Sequence, residues 1–104
     1  MIRDYIKNSV KALAEDECGY AVIQHGRFNS DHEAYSIIRE ETEEASDELR
    51  SMDVQLENMW NAVKKDDKLE VDSLYDAAIK CACECIQVAA MCQKVLPWRD
   101  DRVV

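Results

Sequence analysis

The stretch AAIKCACECIQVAAMCQKVL, residues 77–96, decides the fold class of this chain. Nearly every position in it is apolar or small, so a helix formed by this stretch presents apolar side chains on all sides. A helix that is apolar all round lies in the centre of a helical domain, where neighbouring helices cover it. We therefore expect residues 77–96 to form the central helix of an all-α fold.

The composition of the whole chain favours the same fold class. Its 104 residues include only two glycines and one proline, far too few for a hairpin-rich sheet protein. The residues in surplus, such as Ala, Glu and Lys, favour helices. Hydrophobic residues make up 47% and charged residues 34%, which is typical of a globular protein. At this length we expect one all-helical domain over residues 1–104.

The charge balance and the cysteines exclude several functional classes. With 22 acidic and 13 basic residues the net charge is −9, so no field attracts a phosphate backbone and nucleic-acid binding is not expected. No run reaches the roughly 20 apolar residues of a membrane helix, and Met1–Val10 do not form a secretory signal. Five cysteines are an odd number, which fits a reducing compartment and indicates a cytoplasmic protein.

Apolar residues at helical spacing predict four helices in a bundle-like arrangement. Gly26 suits the end of the first helix, and Ser30 with Glu33 forms a capping box that begins the second. Pro97 predicts that the last helix ends at about Leu96. The first three predicted helices cover residues 2–25, 31–50 and 52–63. The fourth begins between residues 69 and 72 and ends at 96. A charged turn at 64–68 precedes it, and the structure of the tail at 97–104 is left open.

Acidic side chains on the second helix point in two directions. The simpler interpretation of Glu40-Glu41-Thr42-Glu43-Glu44 is an acidic, solvated helix face. On a helical wheel, however, Glu41 lies inside the apolar sector, and Glu44 and Glu48 lie near its edge. That sector is defined by Ala34, Ile37, Ile38, Ala45, Leu49 and Met52. We therefore expect Glu41 and Glu44 to point towards the core, and Glu33, Glu40, Glu43 and Asp47 to point into solvent.

A second inward carboxylate lies in the central helix. Glu84 sits among apolar residues, with Lys80 one turn before it and Gln87 one turn after it on the same face. A buried carboxylate must be protonated, paired or bound to a metal, because an unpaired charge costs several kcal/mol in a core. One interpretation is therefore a Lys80–Glu84 ion pair. The other is a metal site shared with the second helix.

Four oxygen-bearing side chains on two facing helices match the ligands of a hard cation. Glu41 and Glu44 are three residues apart, as are Glu84 and Gln87, so each pair projects from neighbouring turns. Oxygen ligands of this kind select Mg²⁺ or Mn²⁺. Mg²⁺ held by a few carboxylates keeps positions open for water and substrate phosphates, which points to phosphate-ester or pyrophosphate chemistry.

These segments resemble the MazG-like family of all-α nucleotide pyrophosphohydrolases. Residues 40–44 match its EExxE motif, and residues 84–87 stand where the family has ExxD, with Gln87 in place of the aspartate. Residues 30–35 and 84–91 are similar to a small subgroup often found in phage and prophage. The resemblance covers about residues 27–95, and the segment between the motifs is longer than usual.

The resemblance implies a Mg²⁺-dependent enzyme that splits a nucleoside triphosphate into a nucleoside monophosphate and pyrophosphate. It implies that Glu41, Glu44 and Glu84 bind the metal and that Glu40 supports them. Gln87 is a further candidate metal ligand, from its spacing. Lys80 and His32 are candidate substrate contacts. The alternative function is a degenerate, non-catalytic domain whose acidic surface binds a partner protein.

Two further expectations concern the central helix. It carries more apolar surface than one chain of this length covers, so we expect a homodimer or a dimer of dimers. Cys81, Cys83 and Cys85 lie close in sequence, but only Cys81 and Cys85 share a helix face, and no zinc-type spacing accompanies them. We expect these cysteines to be small core residues, with a soft-metal site as the alternative.

Overall fold

Three α-helices make up the computed structural model, which describes the backbone of residues 1–100 and the side chains of residues 1–96. They are α1 (Asp4–His25), α2 (Asp31–Lys64) and α3 (Asp72–Asp100). Residues 1–100 contain no strand, which confirms the all-α prediction. Residues 101–104, the end of the segment whose structure the sequence left open, lie outside the described residues.

The prediction of four helices was wrong, because the second and third predicted helices are one. Helix α2 has 34 residues and continues through residues 50–52, where the sequence suggested a break. Ser51 and Asp53 resemble helix-start residues, but neither prevents a helix from continuing. No glycine or proline occurs within α2. Packing against α3 along its length then favours one uninterrupted helix of about 51 Å.

The turn between α1 and α2 follows the sequence prediction with one difference. Gly26 follows the end of α1 with φ 71°, a backbone conformation that glycine adopts without steric cost. The Ser30 hydroxyl accepts a hydrogen bond from the Glu33 N–H at 3.1 Å, as predicted for the start of α2. The Glu33 carboxylate does not complete the capping box. It accepts instead from Asn29 Nδ2 at 3.0 Å.

Helix α3 does not end at Leu96, so the predicted C-terminal boundary was also wrong. Its backbone remains helical to Asp100. Inside a helix, proline lacks the N–H for the carbonyl four residues earlier, here that of Gln93, and crowds that carbonyl; this weakens or kinks a helix but does not always end it.

Helix α3 is the central helix, since it packs against both α1 and α2, whereas α1 and α2 have no comparable contact. The short turn over residues 65–71 makes α2 and α3 an antiparallel hairpin. The three helices meet in a small core whose buried members are Cys18, Phe28, Ala34, Ala90 and Met91. Half-buried residues such as Ile37 and Val95 pack around it.

The molecule is elongated, with principal extents of 62 × 30 × 22 Å. Its radius of gyration is 17.7 Å, whereas a compact domain of this length has about 13 Å. One side of α3 is consequently exposed, so the expectation of a helix buried all round holds only for the sides that contact α1 and α2. No helix within residues 1–100 combines the length and the apolar character that crossing a bilayer requires.

Candidate metal centre

Three carboxylates from two helices converge at the middle of the α2–α3 hairpin. Glu41 and Glu44 project from neighbouring turns of α2, and Glu84 meets them from α3. One carboxylate oxygen of each lies within 4.8 Å of the others. Glu41 and Glu84 are half-buried, and Glu44 is exposed. The structure thus brings together the three glutamates that the helical wheel and the resemblance singled out.

The surroundings of Glu41 favour its neutral form. Burial raises the pKa of the Glu41 carboxyl, because desolvation penalises the charged form. The negative charges of Glu44 and Glu84 raise this pKa further. Ionised Glu41 is therefore destabilised both by partial burial and by the two neighbouring carboxylates.

Glu84 experiences the same effects from the opposite helix. Burial is the main cause that raises the pKa of its carboxyl, followed by a hydrogen bond with Glu44 and the charges of Glu44 and Glu48. Glu48 is a half-buried carboxylate one turn beyond Glu44 on α2. A divalent cation bound at this cluster would relieve the repulsion, because it supplies two opposite charges where the acids converge.

A cavity of about 510 Å³ lies beside the carboxylate cluster. Its volume is within the range of small-molecule sites. All three helices and the α1–α2 loop contribute to its wall, which consists of Glu17, Tyr20, Ala21, His25, Phe28, Glu33, Ile37, Glu40, Glu41, Gln87, Met91 and Lys94. Glu41 belongs to both the cluster and the cavity wall, so a metal at the cluster would lie at the edge of the cavity.

Lys94 places a buried positive charge in this cavity wall. The residue is only 5% exposed, and its Nζ lies 4.2 Å from the centroid of the Phe28 ring. The contact is a cation–π interaction, which offsets part of the ammonium desolvation. The ion pairs among residues 1–96 do not include Lys94. Among the described side chains, no carboxylate pairs with its ammonium, and Lys94 shares the cavity wall with the carboxylates of Glu17, Glu33, Glu40 and Glu41.

The remaining candidate residues divide into two groups. Gln87 and Glu40 border the cavity, and Gln87 lies one turn from Glu84. His32 and Lys80 are exposed and do not line the cavity, so the structure does not bring these two candidate substrate contacts to it. The alternative Lys80–Glu84 ion pair is not among the ion pairs of the described side chains. Glu33, which the wheel placed in solvent, borders the cavity together with Glu40.

The cysteines do not form a soft-metal site in the described residues. The cluster of metal-ligating side chains found there consists of the three glutamates alone. Burial raises the pKa of the Cys81 thiol, and nearby Cys85, Glu48 and Glu84 raise it further, which disfavours the thiolate that metals require. The expectation that these cysteines are core residues was wrong for Cys83 and Cys85, because both are exposed.

The sequence reasoning missed Lys94 and Phe28. Lys94 is a charged residue in an otherwise apolar helix, which is the same signal that identified Glu84. Phe28 lies in the loop between α1 and α2, where helical periodicity carries no information, and only the fold brings its ring to Lys94.

The donor set of the cluster fits a hard divalent cation, since it consists of carboxylate oxygens from two rigid helices. Burial first, and then the neighbouring carboxylates, raise the pKa of the Glu41 and Glu84 carboxyls, and a bound cation would oppose both effects. Comparisons with protein-family models, with curated proteins and with solved structures find no match to this chain.

Proposed function

We propose that this chain is a Mg²⁺-dependent nucleoside triphosphate pyrophosphohydrolase. The observation that carries the proposal is the position of Glu41, which belongs both to a cluster of three carboxylates and to the wall of a ligand-sized cavity. That cavity also contains the buried ammonium of Lys94. Carboxylates for a metal and a lysine for an anion, side by side, suit a polyphosphate substrate.

Glu41, Glu44 and Glu84 are the residues that would hold Mg²⁺ or Mn²⁺. Gln87 offers a neutral amide oxygen on the turn after Glu84, and Glu40 adds negative charge at the cavity edge. When bound, the metal neutralises phosphate charge and lowers the pKa of a bound water. In the overall reaction one water cleaves the anhydride bond between the α- and β-phosphates, and its atoms are divided between the monophosphate and pyrophosphate.

The cavity wall supplies the binding groups for the rest of the substrate. Lys94 attracts the phosphates, and the Phe28 ring holds its ammonium in place. Tyr20 and Met91 offer aromatic and apolar surface against which a nucleobase packs. Five free thiols favour a reducing location, so we place the enzyme in the cytoplasm.

The resemblance of residues 40–44 and 84–87 to the MazG-like motifs supports this proposal independently of the geometry. One feature favours the alternative, a non-catalytic acidic domain that binds a partner protein. Gln87 stands at the aspartate position of the family motif, which lowers the charge of the site by one.

The two functions are distinguished by release of pyrophosphate from a panel of ribo- and deoxyribonucleoside triphosphates. Each nucleotide is assayed with Mg²⁺, with Mn²⁺ and with a chelator. The enzymatic proposal requires metal-dependent release from at least one nucleotide. Absence of turnover across the panel, with correctly folded protein, would overturn it in favour of the binding domain.

Lys94→Met tests the cavity as the substrate site. Methionine keeps most of the buried apolar stem and removes the charge, so we expect KM for the best nucleotide to rise about tenfold or more, as for a lost charge-assisted contact. Lys80→Met is the matched control on the same helix, because Lys80 is exposed outside the cavity. Equal effects of the two variants would contradict the assignment.

A further inference from the structure

Glu33 lines the end of the cavity that is remote from the carboxylate cluster. Glu33 and Glu41 both border the cavity and are eight residues apart on α2, which separates them by about 12 Å along the helix axis. The buried Phe28, five residues before Glu33 in the chain, also belongs to the cavity wall. A nucleotide with its phosphates at the cluster extends its base in this direction. Glu33 therefore lies where the edge of a base would be.

A hydrogen bond holds the Glu33 carboxylate in one orientation. Asn29 Nδ2 donates to Glu33 Oε2 at 3.0 Å. Among the described side chains, none donates a hydrogen bond to Oε1, and no lysine or arginine forms an ion pair with Glu33. The residue is half-buried. One carboxylate oxygen is thus fixed by the chain, and the other is available to a ligand.

A simpler role for Glu33 is to stabilise the start of α2. Glu33 is in the first turn of this helix, where a negative charge interacts favourably with the helix dipole. That role explains an acid at this position, but any orientation of the carboxylate in the first turn would serve it. It does not require the contact with Asn29 or a place in the cavity wall.

An ionised carboxylate discriminates between nucleobases because it only accepts hydrogen bonds. Adenine, cytosine and guanine each carry an exocyclic amino group, which donates. Uracil and thymine carry carbonyl oxygens at their edges instead, and a carbonyl facing a carboxylate leaves two acceptors without a hydrogen between them. An unmade hydrogen bond of this kind is costly in a partly desolvated site. A site built to bind a substrate N–H therefore rejects an analogue that lacks it.

We infer that Glu33 selects the base of the substrate, and that the cavity prefers nucleotides whose base carries an exocyclic amino group. Glu33 Oε1 accepts a hydrogen bond from that amino group, and Asn29 keeps the carboxylate in position. Uracil and thymine nucleotides are the disfavoured class. The inference rests on the proposed function, because it takes a nucleotide as the ligand of the cavity.

Paired nucleotides that differ by the amino group test this selection. The pairs are CTP with UTP, ATP with inosine triphosphate, and GTP with inosine triphosphate. Each is titrated with Mg²⁺ as its α,β-methylene analogue, which water does not cleave at that bond, so that Kd is measured without turnover. We expect the amino member of at least one pair to bind about tenfold tighter or more, as for a hydrogen bond to a charged group. Absence of binding, or no such preference in any pair, would overturn the inference.

Glu33→Gln identifies the residue responsible. An amide both donates and accepts, so the variant should bind the two members of the preferred pair within about threefold of each other. Glu57→Gln, at an exposed position of the same helix, should keep the wild-type preference. If Glu33 only stabilises α2, Glu33→Gln leaves the preference intact, and the inference fails. Asn29→Ala should also reduce the preference, and it decides if Glu33→Gln does not fold.

The outcome is separable from that of the proposed function. Release of pyrophosphate from natural nucleotides without any amino preference in binding would remove this inference and leave the enzymatic proposal in place. A preference in binding that Glu33→Gln abolishes, with no release from any nucleotide, would support the role of Glu33 and remove the enzymatic proposal.

Discussion

At the scale of single residues, the candidate metal centre brings three acidic side chains close together. Glu41, Glu44 and Glu84 are held together although each repels the others, and burial adds to the cost for Glu41 and Glu84. A bound cation would offset this cost, because its positive charge would attract all three carboxylates.

Glu41→Gln should abolish metal-dependent pyrophosphate release and raise the melting temperature of the metal-free protein. The amide keeps the shape of the side chain but removes one charge from the repelling cluster, and with it a metal ligand. Turnover and melting curves in a chelator measure the two effects. Glu57→Gln, at an exposed position of the same helix, should change neither. Wild-type turnover in Glu41→Gln would contradict the carboxylate site.

Gln87→Asp tests whether Gln87 lies close enough to act on the metal. A carboxylate adds a full charge to the attraction for Mg²⁺, so the variant should gain more thermal stability from Mg²⁺ than wild type does. Without metal, a fourth carboxylate should lower the melting temperature, because it crowds Glu41, Glu44 and Glu84. Melting curves of both proteins, with and without Mg²⁺, give the comparison. Equal Mg²⁺-induced shifts would place Gln87 outside the site.

At the scale of elements, the length of α2 decides how the chain is built. One continuous helix carries Glu41 and Glu44 in its first half and the exposed apolar residues Leu56, Trp60 and Val63 near its end. Because no break intervenes, the carboxylate cluster and these apolar residues keep a fixed rotation about the helix axis relative to each other. Two shorter helices would not impose this relation.

Ser51→Pro distinguishes one helix from two. Proline is tolerated in the first turn of a helix but costs about 3 kcal/mol or more in the interior, where it removes a hydrogen bond and clashes with the preceding turn. We therefore expect a loss of that size in chemical denaturation, and Ser51→Ala should be close to neutral. A loss below about 1 kcal/mol for the proline variant would mean that a helix begins at this residue.

At the scale of the whole molecule, stability should depend on pH through the same acids. Glu41 and Glu84 have raised pKa values in the folded state. Between their unfolded and folded pKa values the folded protein therefore binds more protons than the unfolded one, and stability falls as the pH rises through this range. In a chelator, the melting temperature should be higher at about pH 4.5, near the unfolded pKa of a glutamate, than at about pH 7.5 through these groups. The combined Glu41→Gln and Glu84→Gln variant should show a smaller difference.

Mg²⁺ should reverse this dependence. Protons compete with the metal for the carboxylates, so the Mg²⁺-induced rise in melting temperature should shrink as the pH falls. A stabilisation by Mg²⁺ that is the same at both pH values would indicate binding away from the two acids.

Site residues on an apolar helix face could be predicted from helical periodicity, whereas those chosen for their nearness along the chain could not. Glu41 and Glu84 were identified because a carboxylate among apolar residues at helical spacing must point inwards. Lys80 and His32 were proposed from proximity along the chain, and the structure leaves both outside the cavity. Lys94 gave the same signal as Glu84, but the cavity that gives it a role forms only when three helices meet.

Four features follow from the amino-acid sequence without the fold: the helical class, the end of α1 at Gly26, the start of α2 at Ser30 and the inward direction of Glu41 and Glu84. These features depend on local propensity and on the 3.6-residue period, which neighbouring residues fix. Three features became clear only in the folded chain: α2 is continuous, α3 remains helical past Pro97, and one side of α3 is exposed. These features depend on which helix surfaces pack together. Packing between helices can outweigh a weak sequence signal for the start or the end of a helix.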